Sequence, residues 1–265
     1  QGVGDVIMFA SMLSELSEWA ANVTALVDAR MLTLFRNSFS NVTFIEFGDR
    51  FNVNPNEFDV VLPFGNLPSI FRRELKDFNY RRYLYPTKAK IEHYKNSLNS
   101  SFPNKQYIGI SWQGGVPTTR LKHRSMALEQ LAPIFEIPNC IFVNLQYGKS
   151  AGEADHYNQQ NGTDIISFPK AETNDLDNLA ALIDSLDFVV TVQNTNVHLC
   201  GALNKKCLAI LPSSPEWRYG IEGEKMPWYE SVTLFRQSVQ GTWVDAVERV
   251  KISVTEQLNI TKQGN

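Results

Sequence analysis

Short apolar runs rich in β-branched residues recur along this chain, and between them lie stretches whose apolar residues fall three and four apart. The runs are "NVTALVD" (22–28), "VTFIEF" (42–47), "FDVVLPFG" (58–65), "YIGISWQGG" (107–115), "CIFVNLQYG" (140–148), "DIISF" (164–168), "DFVVTV" (187–192), "KCLAILP" (206–212) and "SVTLFRQ" (231–237). Nearly continuous apolar runs of this length predict strands buried on both faces of a mainly parallel sheet. The stretches between them predict helices at the opening "QGVGDVIMFASML", at 29–38, 126–135, 175–186, 196–203 and 242–258. In 175–186, Leu176, Leu179, Ala180, Ile183 and Leu186 share one face. Residues 66–100 read as helices broken by turns, and "NSLNSSFPNK" (96–105) reads as a linker.

The pattern therefore predicts an α/β protein of two βα domains in series, 1–104 and 105–265, with the last helix packing back on the first domain. A loop such as "QGVGD" normally follows a buried strand. The expectation is that the first strand of the N-terminal domain lies before Gln1, in a longer protein.

Composition narrows the function. The chain has 265 residues, 43% of them hydrophobic, which suits about two domains. A net charge of −3 leaves no basic surplus to neutralise nucleic-acid phosphates. No apolar run is long enough to cross a bilayer. The three cysteines, Cys140, Cys200 and Cys207, have no C-x-x-C spacing and read as buried thiols.

Three segments carry candidate chemistry. In "QGVGDVIM" the sixth position of a G-x-G-x-x-G fingerprint is Ile7, so the dinucleotide reading fails. Gly4 and Asp5 remain, at the start of a helix. Asp5 either caps that helix or faces a cleft and takes a proton. In "SWQGGVPTTRLKHR" a strand ends at Trp112, Gly114 and Gly115, and Thr118, Thr119, Arg120, Lys122, His123 and Arg124 follow. Ligands of α/β sheets gather outside the carboxyl ends of strands, and free N–H groups with cations suit a phosphate. A solvated basic loop is the alternative. In "TVQNTNVHLCGAL" a strand, a polar turn and a helix follow one another. Thr195 is the expected N-cap, and His198 is either a donor to a ligand or a buried, hydrogen-bonded ring. Asp175 and Asp177 open a helix and read as caps, and no metal-ligand spacing is present.

Taken in order, "QGVGDVIMFASMLSEL", "IGISWQGG", "RSMALEQLAPIF", "FVNLQYG", "DLDNLAALIDSLDFVVTVQNTNVHLCGAL", "LPSSPEWRYG", "PWYESVTLFRQ" and "GTW" resemble the family 9, heptosyltransferase-like glycosyltransferases, most of all the bacterial branch that follows tetratricopeptide repeats. The resemblance implies a GT-B fold, with two Rossmann-like domains facing across a cleft. It implies an inverting, metal-free transfer from an ADP-, GDP- or UDP-sugar to a hydroxyl of a glycan or lipid-linked acceptor, with no further cofactor. It also implies a cytoplasmic enzyme, with a peripheral contact at the inner face of the membrane and tetratricopeptide repeats upstream. Carried onto this chain, Asp5 is the general base. The donor lies against Gly4, Trp112, Gly114, Gly115, Arg120, Lys122, Arg124, Gln146, Gln193, Thr195, Asn196 and His198. The chain departs from the family at Gln193, where the D-T-x-x-x-H text has Asp. Its Thr195 is displaced by one place, and "KHRSMA" stands where the family has K-x-W-P. A catalytically idle module that binds a glycan or a protein, and a sugar-nucleotide epimerase, are the other readings.

Overall fold

The computed structural model describes residues 2–48, 53–115 and 120–263. The elements in order are α1 (Val3–Ala10), α2 (Leu13–Trp19), β1 (Val23–Val27), α3 (Leu32–Ser38), β2 (Val42–Glu46), α4 (Pro68–Phe71), α5 (Lys88–Ser101), β3 (Gln106–Ser111), α6 (Leu121–Arg124), α7 (Ala132–Phe135), β4 (Cys140–Asn144), α8 (Glu153–Asn161), α9 (Lys170–Thr173), α10 (Leu176–Ser185), β5 (Phe188–Val192), α11 (Thr195–Ala202), β6 (Cys207–Leu211), β7 (Lys225–Met226), β8 (Tyr229–Arg236) and α12 (Val244–Gln263). β1 and β2 pair in parallel, while the later strands form a six-stranded sheet in the order β4-β3-β5-β6-β8-β7. Among the described residues only the β7–β8 pair is antiparallel.

The larger sheet shows why its strands read as unbroken apolar runs. Side chains alternate between faces along a strand, and here both faces are covered. Val189, Cys207, Ala209 and Leu211 enter one core, and Phe188, Val190, Val192, Leu208 and Ile210 enter the other. The second core is closed by Ala246, Val247, Val250 and Val254 of α12, so the last helix lies on the larger sheet, against α7, β6 and β8. The first core also takes Ile7, Met8, Leu34, Phe35 and Leu98 from the N-terminal part, so the two parts share one body of apolar side chains.

Four expected elements differ. The run 58–65 makes no ladder: Val60 and Val61 are 70% and 64% exposed, and Phe64–Asn66 is a 3-10 turn. β-branched residues favour a strand only where a neighbour offers its N–H and C=O groups. Residues 164–168 contribute one bridge, Ile166 to Val143. The predicted helix at 126–135 splits into a 3-10 turn, Leu128–Leu131, and the four residues of α7, where Pro133 stands in the first turn. Most of the expected linker 96–105 continues α5, because Leu98 faces the core and Ser and Asn on the outer face leave the helix intact.

Residues 82–90 stitch the two parts together. The N–H groups of Tyr83 and Leu84 both donate to the carbonyl of Ala202, at 3.0 and 3.2 Å. Arg82 meets Asp184 with two hydrogen bonds, of 3.2 and 2.9 Å. Asp177, fully buried, accepts from the Thr87 N–H (3.0 Å) and hydroxyl (2.7 Å) and faces the Lys90 ammonium at 2.8 Å. Asp175 caps α10 through the Asn178 N–H. Of the two acids in "DLD", one is a cap and the other an anchor. Asp177→Ala would leave buried donors without an acceptor. It should lower stability in urea unfolding by about 1–3 kcal/mol, whereas Asp175→Asn, which keeps a capping oxygen, should change it by only a few tenths.

Candidate functional site at the ends of β3 and β5

The chain leaves β3 toward β4 and leaves β5 toward β6, in opposite directions along the sheet, which makes the gap between β3 and β5 a topological switch point. A buried polar knot closes its floor. Asn194 donates to the Ser111 hydroxyl (2.9 Å) and to the Gln113 carbonyl (3.1 Å). Its own side-chain oxygen accepts from the Asn196 N–H at 2.9 Å, which makes Asn194 the cap of α11. Thr195, the expected cap, is the helix's first residue, because the extended backbone a cap needs falls one place earlier. Asn196 donates to Ser111 and to the Leu145 carbonyl, and among the described residues its oxygen is buried without a partner. Gln146 accepts from the N–H groups of Trp112 and Gln113 at 3.1 and 2.9 Å. The Trp112 indole donates to Glu153 at 2.7 Å. Trp112, Gln146 and Asn196, expected against a ligand, are therefore taken up in holding the loop.

Above this floor α1 lies on α11. The contact is close because Gly4 has no side chain: a Cβ there would come 2.8 Å from His198 Cδ2. His198 is buried, with Nδ1 at 3.2 Å from the Tyr229 hydroxyl. Burial, with the nearby guanidinium groups of Arg218 and Arg124, pushes its pKa down to about 3, so the ring is neutral. Tyr229 meets Tyr83, whose hydroxyl donates to the Ile7 carbonyl at 2.9 Å. Burial pushes the phenols of Tyr83, Tyr219 and Tyr229 up, so all three stay hydroxyls. His198 thus supports α1 from beneath.

That packing carries Asp5 to the charged groups of the second part. The Asp5 carboxylate pairs with the Arg218 guanidinium, and its other oxygen accepts from the Gly2 N–H at 3.3 Å. The pair is partly open to solvent: the Asp5 side chain is 25% exposed and that of Arg218 12%. Among the described residues Arg218 Nε is buried without a partner. Arg124 donates to the Gln193 carbonyl (3.1 Å) and sits 3.6 Å from Glu216. The Gln193 side chain accepts from the Glu216 N–H at 3.2 Å. Gly114 lies against the Gln193 carbonyl, where a Cβ would come within 2.5 Å of the oxygen, and Gly115 takes a positive φ of 84°.

The basic loop divides. Arg124 turns toward Gln193 and Glu216. Arg120 and Lys122 are exposed and, with His123, line a separate cavity. Thr118 and Thr119 lie outside the described residues. Glu216 and Arg218 were not among the site residues expected from sequence. The signal was their place: they follow β6 directly, at the carboxyl end of a central strand. Among the described residues no group of three His, Cys, Asp or Glu is placed to hold a metal, and no helix is long and apolar enough to cross a membrane.

The architecture is GT-B, the fold of the family 9 glycosyltransferases. The chain superposes over 98% of its length on 95% of a Veillonella parvula family 9 glycosyltransferase, with a TM-score of 0.71 and 13% identity. It also superposes over 98% of its length on 97% of the Escherichia coli ADP-heptose lipopolysaccharide heptosyltransferase II, with a TM-score of 0.66 and 14% identity. Escherichia coli heptosyltransferase WaaC with ADP-2-deoxy-2-fluoro heptose gives a TM-score of 0.54 at 11% identity, over 97% of each chain. In sequence, 97% of the chain is 27% identical to Protein FlbA of Caulobacter vibrioides, of which it spans 45%. No family model matches.

The neutral His198 gives a pH test. Its pKa falls from 6.5 to about 3 on folding, so below 6.5 the unfolded chain binds the extra proton. Its contribution is complete above pH 6.5 and is lost as the pH falls toward 3. Between pH 7 and 5 the wild type should lose about 2 kcal/mol more than His198→Gln in urea unfolding. Equal losses would mean that the ring is protonated in the folded protein.

Proposed function

We propose that the protein is a glycosyltransferase that moves a sugar from a nucleoside diphosphate sugar to an acceptor hydroxyl, with inversion and without a metal. The observation that carries this reading is the pairing of Asp5, from the N-terminal part, with Arg218 of the second part, while Arg124 stands on the Gln193 carbonyl at the carboxyl end of β5. An acid and two cations at such a place suit a reaction that releases a proton on one side and a diphosphate on the other. GT-B structures that hold ADP and an ADP-sugar analogue superpose on the chain, which supports a donor of that class.

The acceptor oxygen attacks the anomeric carbon from the face opposite the diphosphate. A new C–O bond forms, the bond from that carbon to the diphosphate oxygen breaks, and the acceptor proton passes to Asp5. Positive charge grows on the sugar ring and negative charge on the leaving diphosphate. Arg218 Nε, buried without an acceptor, and the Arg124 guanidinium stabilise that negative charge. Each Asp5 oxygen accepts one hydrogen bond in this structure and keeps a lone pair for the incoming proton. Gln193 stands where the family's text has Asp; its side-chain oxygen accepts from the Glu216 N–H and its backbone carbonyl from Arg124, so it brings no carboxylate to the donor sugar. That neutral amide also favours a second reading, a catalytically idle module that binds a glycan or a protein partner.

Thermal shifts with ADP-, GDP- and UDP-sugars, followed by a transfer assay, separate the two. One nucleoside diphosphate class should stabilise the protein and support transfer. Binding without transfer for any acceptor favours the idle module, and no shift with any donor contradicts the transferase. Asp5→Asn should slow transfer by about 10²–10⁴-fold while nucleoside diphosphate binding holds or tightens, because Arg218 loses its competing partner. Arg124→Ala should weaken the diphosphate by about 10–100-fold and the free nucleoside far less. Equal weakening of both would move the diphosphate away from Arg124.

A further inference from the structure

Asp5 and Phe9 stand four residues apart on α1, and therefore one turn apart on the same side of the helix. Both meet the chain between β6 and β8. Asp5 pairs with Arg218, and the Phe9 ring meets the Trp228 ring edge to face, with centroids 6.0 Å apart. Trp217 touches both of those partners. The Arg218 guanidinium lies over its ring, 5.8 Å from the centre, and the Trp228 ring stands 6.4 Å away at 78°. Phe78, from the N-terminal part, closes on Trp228 at 5.0 Å. The backbone adds to this hold. Trp217 opens a 3-10 turn, Trp217–Tyr219, whose last residue is buried against His198 and which ends at Gly220 with a φ of 69°.

The supports are buried and the supported ring is not. Phe9 and Trp228 are buried, whereas Trp217 is 64% exposed. A lone apolar side chain at a surface needs no explanation. This one is fixed in place by two neighbours beside the Asp5 carboxylate, so its free area is offered to a ligand at no ordering cost. The chemistry of the surroundings selects that ligand. A pyranose with mostly equatorial hydroxyls turns axial C–H bonds to one face. Those hydrogens carry slight positive charge and rest on the negative face of an aromatic ring, as an aromatic edge or a cation does. The hydroxyls stay at the rim, where Asp5 and Glu216, both partly open to solvent, can accept from them.

We propose that Trp217 is the platform on which a pyranose ring of the acceptor stacks, which makes the acceptor a glycan rather than a peptide. On the reading that Asp5 is the base of the transfer, the stacked sugar lies where the acceptor hydroxyl loses its proton, because Phe9 and Phe78, which brace the platform through Trp228, belong to the same part as Asp5.

Saturation-transfer NMR on the whole chain tests this, with the methyl α- and β-pyranosides of glucose, galactose and mannose as probes and a serine-containing hexapeptide beside them. At least one pyranoside should bind, with the saturation strongest on the C–H bonds of one ring face, and the peptide should not. Trp217→Ala, an exposed change whose folding is checked by circular dichroism, should raise the Kd of that pyranoside by about fivefold or more. Trp217→Phe, which keeps an aromatic face, should raise it by less than about threefold. The Kd of ADP, GDP or UDP, whichever binds, should change by less than about twofold in both variants. Binding of no pyranoside, or equal binding by wild type and Trp217→Ala, overturns the platform. So does a peptide whose binding depends on Trp217 while the sugars do not bind. These results are separate from those that decide the transferase. Pyranoside binding that depends on Trp217 with no nucleotide bound and no turnover sinks the transferase and keeps the platform, and transfer with no dependence on Trp217 does the reverse.

Discussion

The close approach of α1 to α11 at Gly4 is the contact on which the rest of the site depends. A side chain there would drive into the ring of His198, which has no room to withdraw because Tyr229 holds its other side. The two helices come from the two parts of the chain, so this packing sets where the N-terminal part stands relative to the larger sheet. The tie from Tyr83 to the Ile7 carbonyl and the paired bonds from Tyr83 and Leu84 to Ala202 fix the same junction from the opposite side. A neutral imidazole is what this environment admits: burial and two guanidinium groups both oppose its proton.

Asp5 gains its position from that packing. It sits in the first turn of α1, where the helix dipole favours a carboxylate, and its partner Arg218 arrives on the loop after β6. The Asp5–Arg218 pair therefore joins the parts electrostatically where Gly4 and His198 join them sterically. Charge is matched within the cleft, Asp5 with Arg218 and Glu216 with Arg124.

The strands of the larger sheet were legible in sequence because each is buried on both faces, and burial writes an unbroken apolar run. The run at 58–65 has the same text without a ladder, so apolar content alone did not decide it. Of the candidate site, the glycines at 4 and 114 and the acid at 5 could be read directly, since the residue type states the need. Arg218 could not, because its meaning lies in a partner 213 positions away. The roles within "SWQGG", "LQYG" and "TNVH" were also hidden. Amides such as Gln146 and Asn196 look alike whether they face a ligand or a neighbouring loop, and only the hydrogen-bond partners tell them apart.

The proposed reaction requires that the space beside Asp5 receive a diphosphate between Arg124 and Arg218, which a crystal structure of the protein with a bound nucleoside diphosphate would show. Phosphate oxygens should lie within hydrogen-bond reach of Arg218 Nε and the Arg124 guanidinium, with Asp5 left facing the adjoining space where an acceptor hydroxyl would stand. A diphosphate bound elsewhere, with the Asp5–Arg218 pair and the unpartnered Arg218 Nε unchanged, would contradict it.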